Sequence, residues 1–259
     1  MVRRLAFLIL TLILSVIGIL TGCSQFGLIS GSGDIITRDY SFSNFTDIEI
    51  GSHFKVEIVP SDTYSLSVTT YENIFNYLNI TQSGKTLVIS LKPGKIASTS
   101  PQAKVTLPVL NSLKISGASE AGARGFQSTD NFSLEVSGAS AAEIDLETGN
   151  SKINISGASK GTGHLVTLDS DINISGASRL NYTGSANNIT LEASGASSAV
   201  LPEFTVQNAS TNISGASNAT LNVSNTLDVV VSGASTLNYS GNATLGKVSV
   251  TGASSLNKK

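Results

Sequence analysis

Leu113-Lys114-Ile115-Ser116-Gly117-Ala118-Ser119 sets the pattern for most of this chain. Its last four residues recur at positions 137–140, 156–159, 175–178, 194–197, 214–217 and 232–235. An eighth copy reads Thr251-Gly252-Ala253-Ser254. Successive copies start 21, 19, 19, 19, 20, 18 and 19 residues apart. A short, nearly constant period marks a solenoid, in which each repeat is one coil that stacks on the next.

The flanking columns give the coil its strands. Directly before the motif stand Ile115, Val136, Ile155, Ile174, Ala193, Ile213, Val231 and Val250, all apolar. Three positions before it, only Thr211 breaks an apolar column. Between the two columns lie Lys114, Glu135, Asn154, Asn173, Glu192, Asn212, Val230 and Ser249, of which only Val230 is apolar. An inward, outward, inward alternation repeated eight times is a β-strand with one buried face. The alternation resumes after the motif. Polar Glu120, Lys160, Arg179 and Asn218 are followed by Ala121, Gly161, Leu180 and Ala219. Each coil thus holds at least two short strands with the motif at or near the bend. Segments such as Glu147-Thr148-Gly149-Asn150 and Gly184-Ser185-Ala186-Asn187 are expected to be turns. The expected fold is all-β: a single-stranded parallel β-helix, or β-solenoid, of about 19–20 residues per coil.

Composition agrees. Among 259 residues 13% are charged and none is Trp, and the formal net charge is −2. No basic patch offers nucleic acid a binding surface. The single cysteine, Cys23, excludes an internal disulfide and a cysteine-based metal site.

Cys23 also ends a characteristic leader. Arg3 and Arg4 precede an apolar run at residues 5–20, and Leu20-Thr21-Gly22-Cys23 follows. The run is shorter than the roughly 20 residues a spanning helix needs. It reads as a secretory signal, and its end resembles a bacterial lipobox, whose cysteine is lipidated and becomes the mature N-terminus. Residues 1–22 are then the signal peptide, and residues 23–33 the lipidated cysteine and a Gly/Ser-rich tether. The lipid would place the protein on the outer membrane of a two-membrane cell. In a one-membrane cell it would sit on the outer face of the cytoplasmic membrane.

The domain itself spans residues 34–259, with less regular strands at 34–110 and the coils at 111–259. Apolar residues at period two, such as Ile48 and Ile50 or Val56 and Ile58, mark the early strands. One short helix is expected near here. Thr69 and Glu72 have the spacing of a capping box, with Ile74, Phe75 and Leu78 on one face.

Catalytic readings compete poorly with structural ones. A nucleophilic serine needs a base within hydrogen-bond reach, and eight equivalent serines share two histidines, His53 and His164. A triad of His164 with Asp169 or Asp171 and a motif serine is the most specific rival. Glu143, Asp145 and Glu147 alternate along one strand, so they form an outward acidic stripe rather than a converging pair. Tyr182 and Tyr239 share a column with Ile144, Leu201 and Leu221 and are expected in the core. No catalytic, metal or cofactor site is assigned.

The chain resembles the putative auto-transporter adhesin, head GIN domain family of bacterial envelope proteins, over roughly residues 33–257. The resemblance rests on Val105-Thr106-Leu107-Pro108, the Leu113–Ser119 passage and its repeats. The earlier run of Phe45, Ile48-Glu49-Ile50, Phe54-Lys55-Val56-Glu57-Ile58 and Glu72-Asn73-Ile74 also carries it. It implies a parallel β-helix on a secreted or lipid-anchored protein, and no family catalytic residues. The expected role is a lipid-anchored envelope protein whose rigid β-helix binds an envelope protein or glycan, without catalysis. An enzyme acting on envelope polysaccharide and a structural spacer are the alternatives. Recognition is assigned to the variable residues beside the motif: Glu120, Lys160, Arg179 and Asn218.

Overall fold

The computed structural model describes residues 29–94 and 99–259; Cys23 and the apolar leader lie outside them. Of the described residues 64% are strand and 3% helix, with a parallel β-solenoid of about 8 turns and about 19 residues per coil. In chain order the first strands are β1 (Ile35–Tyr40), β2 (Asp47–Ile50), β3 (Lys55–Pro60), β4 (Ser65–Tyr71), β5 (Leu78–Ser83), β6 (Thr86–Leu91) and β7 (Gln102–Leu107). Next come β8 (Ser112–Ile115), β9 (Glu120–Gln127), β10 (Phe132–Val136), β11 (Ala141–Glu147), β12 (Ser151–Ile155), β13 (Lys160–Val166) and β14 (Asp169–Ile174). Three long strands follow, β15 (Arg179–Ala193), β16 (Ser198–Ile213) and β17 (Asn218–Val231). The last are β18 (Thr236–Ser240), β19 (Thr244–Val250) and β20 (Ser255–Lys258).

Two lateral faces result. Face A runs β1-β4-β7-β3-β9-β11-β13, then the first halves of β15, β16 and β17, then β18 and β20. Face B runs β5-β6-β2-β8-β10-β12-β14, then the second halves of the same long strands, then β19. The apolar columns read from sequence fill the space between them, from Leu113 and Ile115 to Val229 and Val231.

The Ser-Gly-Ala-Ser motif is the corner from face B to face A. Its glycine has φ between 63° and 79° in all eight copies, a region costly for any residue with a Cβ. Space forbids a Cβ too: one added at Gly215 would stand 2.5 Å from the Gly195 carbonyl oxygen of the coil before. The corner's backbone groups pair between coils, as in Ala216 N–H to the Gly195 carbonyl at 2.7 Å. The last serine of each of the first seven copies is buried. The hydroxyls of Ser140, Ser159 and Ser178 accept from the backbone N–H of Ser119, Ser140 and Ser159, each one coil earlier, at 3.2–3.3 Å. Ser217 to Ser235 repeats the contact at 3.2 Å. Such a ladder satisfies a donor that the sharp bend would otherwise orphan.

The sequence reading fails in three places. The chain forms no capping box: Thr69 lies in β4, bonded through its hydroxyl to Thr37 at 2.7 Å. The helix is a 3-10 segment, Glu72–Tyr77, which starts after extended Tyr71 with no side-chain cap. Pairing β4 to β1 and β7 outweighs the local capping preference. Second, residues 184–187 lie inside the continuous β15 and bend without a turn, aided by Gly184 at φ 121°. Third, the early coils do not stack in chain order. The β2–β3 coil sits between β6–β7 and β8–β9, and antiparallel β1, β4 and β5 close that end.

At the other end Leu245, Val248 and Val250, of the inward columns on β19, are exposed. Among the described residues no helix is long and apolar enough to cross a membrane.

Candidate functional site

The strand register sets the outward residues of face A in rows, one residue per strand: Lys55, Glu120, Ala141, Lys160, Arg179, Ser198, Asn218 and Thr236 form one row. The next row reads Ser67, Lys104, Glu57, Gly122, Glu143, Thr162 and Asn181. The four recognition residues expected from sequence therefore do share one row. Asn218 stands three strands beyond Lys160, about 14 Å at the usual strand spacing, and its row neighbours Ser198 and Thr236 are uncharged.

Where small residues interrupt these rows the surface sinks. A groove of about 760 Å³ crosses β4, β7, β3, β9, β11 and β13. Gly122 and Ala141 lie outward in its floor, and a Cβ built on Gly122 meets nothing within 4 Å. Long charged side chains make the rims: Lys55, Glu57, Lys104, Glu120, Arg124, Glu143 and Lys160. Glu120 and Lys160 were legible beside the motif. Lys55, Glu57 and Lys104 come from the irregular early strands, and only the non-sequential stacking brings them here.

Six of these charges pair across strands. Lys55 meets Glu120 at 3.7 Å, Lys104 meets Glu57 at 3.8 Å, and Arg124 meets Glu143 at 2.7 Å. The Glu143 hydrogen bond, and then its charge, hold the Arg124 guanidinium above its ordinary pKa. Among the described residues no carboxylate lies within ion-pair distance of Lys160 or Arg179.

The catalytic alternatives do not assemble. His164 lies outward on face A, with Nδ1 2.9 Å from the Thr183 hydroxyl. Asp169 and Asp171 lie on β14 of face B, where Asp169 accepts from Asn188 at 2.7 Å. Glu143 is bound to Arg124, and Glu147 accepts from Gln127 at 3.3 Å, so the acidic stripe is partly neutralised by the neighbouring coil. His53 sits at a corner with φ 65°. Tyr182 and Tyr239 are buried, as their column required. Among the described residues no group of three or more His, Cys, Asp or Glu could hold a metal ion.

Residues 44–243 match a family model described as putative auto-transporter adhesin, head GIN domain. None of the curated proteins matches the chain. Several solved structures share its fold. A putative lipid binding protein from Parabacteroides distasonis is 21% identical at a TM-score of 0.80, covering 89% of this chain and 99% of its own. A putative adhesin from Bacteroides fragilis is 20% identical at 0.69, covering 89% and 100%. A putative adhesin from Parabacteroides merdae is 17% identical at 0.71, covering 89% and 98%.

Proposed function

Because the chain belongs to the family described as putative auto-transporter adhesin, head GIN domain, we propose that it is a lipid-anchored envelope protein that binds a partner through face A. The observation that carries this reading is the groove floored by Gly122 and Ala141 and walled by charged side chains. A surface built only to stack coils has no need of a recess there. Binding without catalysis agrees with the use of the serines: the buried hydroxyls of Ser140, Ser159 and Ser178 are engaged in the corner ladder. The anchor is Cys23, on the lipobox-like leader, and it leaves a short link to the domain. Residues 30–32 already dock on the cap: Asn73 Nδ2 donates to the Ser30 carbonyl at 2.8 Å, and Ser32 N–H donates to Asn73 Oδ1 at 2.9 Å.

Two measurements test this reading. Metabolic labelling with palmitate marks the wild type, and Cys23→Ala abolishes the label. The detergent-extracted protein, immobilised, retains an envelope glycan or protein and releases no reducing ends from envelope polysaccharide. Persistent labelling of Cys23→Ala removes the anchor; retention of nothing together with polysaccharide cleavage removes the binding role.

A further inference from the structure

We propose that the groove on face A takes an acidic glycan, with its acidic group seated against Lys160 and Arg179. The proposal rests on the face-A reading and names its ligand class. Three cations of the groove are matched by Glu57, Glu120 and Glu143. Lys160 of the lining is left over; Arg179, directly paired with it in register on β15, lies just beyond the lining, and both are exposed. Their strands run about 4.8 Å apart, and two unmatched like charges on such neighbours repel each other until an anion lies between or above them. An Arg beside a Lys is well suited to carboxylate or sulfate.

The rest of the groove decides what carries that anion. Its lining holds no aromatic residue, and its apolar members are only Val56 and four alanines. A lipid surface would need exposed apolar side chains, and the large ones lie elsewhere, at Ile35, Tyr71, Leu168, Val230, Leu245, Val248 and Val250. A peptide held by strand addition would need a free edge, and every strand under the groove is paired on both sides. A polyphosphate would meet the three glutamates. What remains is a hydroxyl-rich ligand of low charge: its hydroxyls donate to Glu57, Glu120 and Glu143, and Ser67, Thr69, Gln102 and Thr162 bond either way.

The test is an array of acidic glycans, carboxylated and sulfated, each printed beside its neutral counterpart. It is probed with the detergent-extracted full chain and with Lys160→Gln, Arg179→Gln and Gly122→Gln variants. The proposal expects retention of acidic members at least tenfold above their neutral counterparts. Lys160→Gln or Arg179→Gln should remove about tenfold of that preference, and Gly122→Gln should remove binding altogether. The carboxylated and sulfated members identify which acid is used. Neutral and acidic members bound alike, but lost in Gly122→Gln, overturn the acidic assignment and leave the groove. Binding unaffected by Gly122→Gln overturns the groove as the site; no glycan bound overturns the glycan assignment and leaves the face-A reading to the capture of an envelope protein.

Discussion

The hydroxyl of Ser159, buried at the third corner, accepts a hydrogen bond from the backbone N–H of Ser140 at 3.3 Å. Ser156, which opens the same tetrapeptide, is only half-buried. The two serines of one motif therefore carry different loads. Ser159→Ala leaves a buried N–H without a partner and should cost about 1–3 kcal/mol. Ser156→Ala should fall within about 0.5 kcal/mol of wild type. Denaturant unfolding of the two variants measures the difference; equal losses would remove the ladder as the reason for the repeat.

Tyr182 is fully buried with no hydrogen-bond partner for its hydroxyl. Burial raises its pKa far above the ordinary value of 10.0. The folded state thus retains a proton that the unfolded chain releases above about pH 10. Stability contributed by this group is intact below pH 10 and falls as pH rises further. Tyr182→Phe should flatten that alkaline loss and be neutral or stabilising by up to about 1 kcal/mol at pH 7. A steeper alkaline limb in the variant would contradict this.

Gly161 leaves room for Ile155, Leu180 and the end of that ring. A Cβ there would stand 2.6 Å from Ile155 Cδ1 and 3.4 Å from the Tyr182 hydroxyl oxygen. Gly161→Val should destabilise by about 1–3 kcal/mol through overpacking, and Tyr182→Leu in the same chain should restore part of it. Additive losses in the double variant would show that the two positions are not coupled.

Asn73 fastens residues 30–32 to the cap with two hydrogen bonds, and Gly31 lies so close to Tyr71 that a Cβ would overlap its ring. Asn73→Ala should speed amide exchange at Ser32 by about tenfold with little change in Tm, because local opening at a terminus is nearly independent of the core. Unchanged exchange at Ser32 would mean that the Asn73 bonds do not hold this segment.

Much of the fold was legible because stacking repeats the same physical demand every 19 or so residues. Ile155, Asn154 and Ile153 announce their sides by alternation alone. The same rule marks a corner that motif counting passed over. Ile48-Glu49-Ile50 precedes Gly51-Ser52-His53-Phe54, where Ser52 and His53 take positive φ and His53 N–H donates to the Gly117 carbonyl at 3.0 Å. Its letters differ from Ser-Gly-Ala-Ser, but the triplet before it has the apolar, charged, apolar pattern of Leu113-Lys114-Ile115. The insertion of β2–β3 between later coils was not legible, since strand order depends on which edges are free and not on local pattern. The groove inherits that gap: Glu120 and Lys160 stand beside the motif, whereas Lys55 and Lys104 reach it only through the stacking order.

Gly122 has open space above it and an ordinary backbone conformation for any residue. The deciding measurement is capture of envelope components by the immobilised, detergent-extracted protein, comparing wild type with Gly122→Gln. Tm of both is recorded alongside. The predicted result is loss of capture at unchanged Tm. Equal capture by the two proteins would place the binding surface away from the groove and contradict the account.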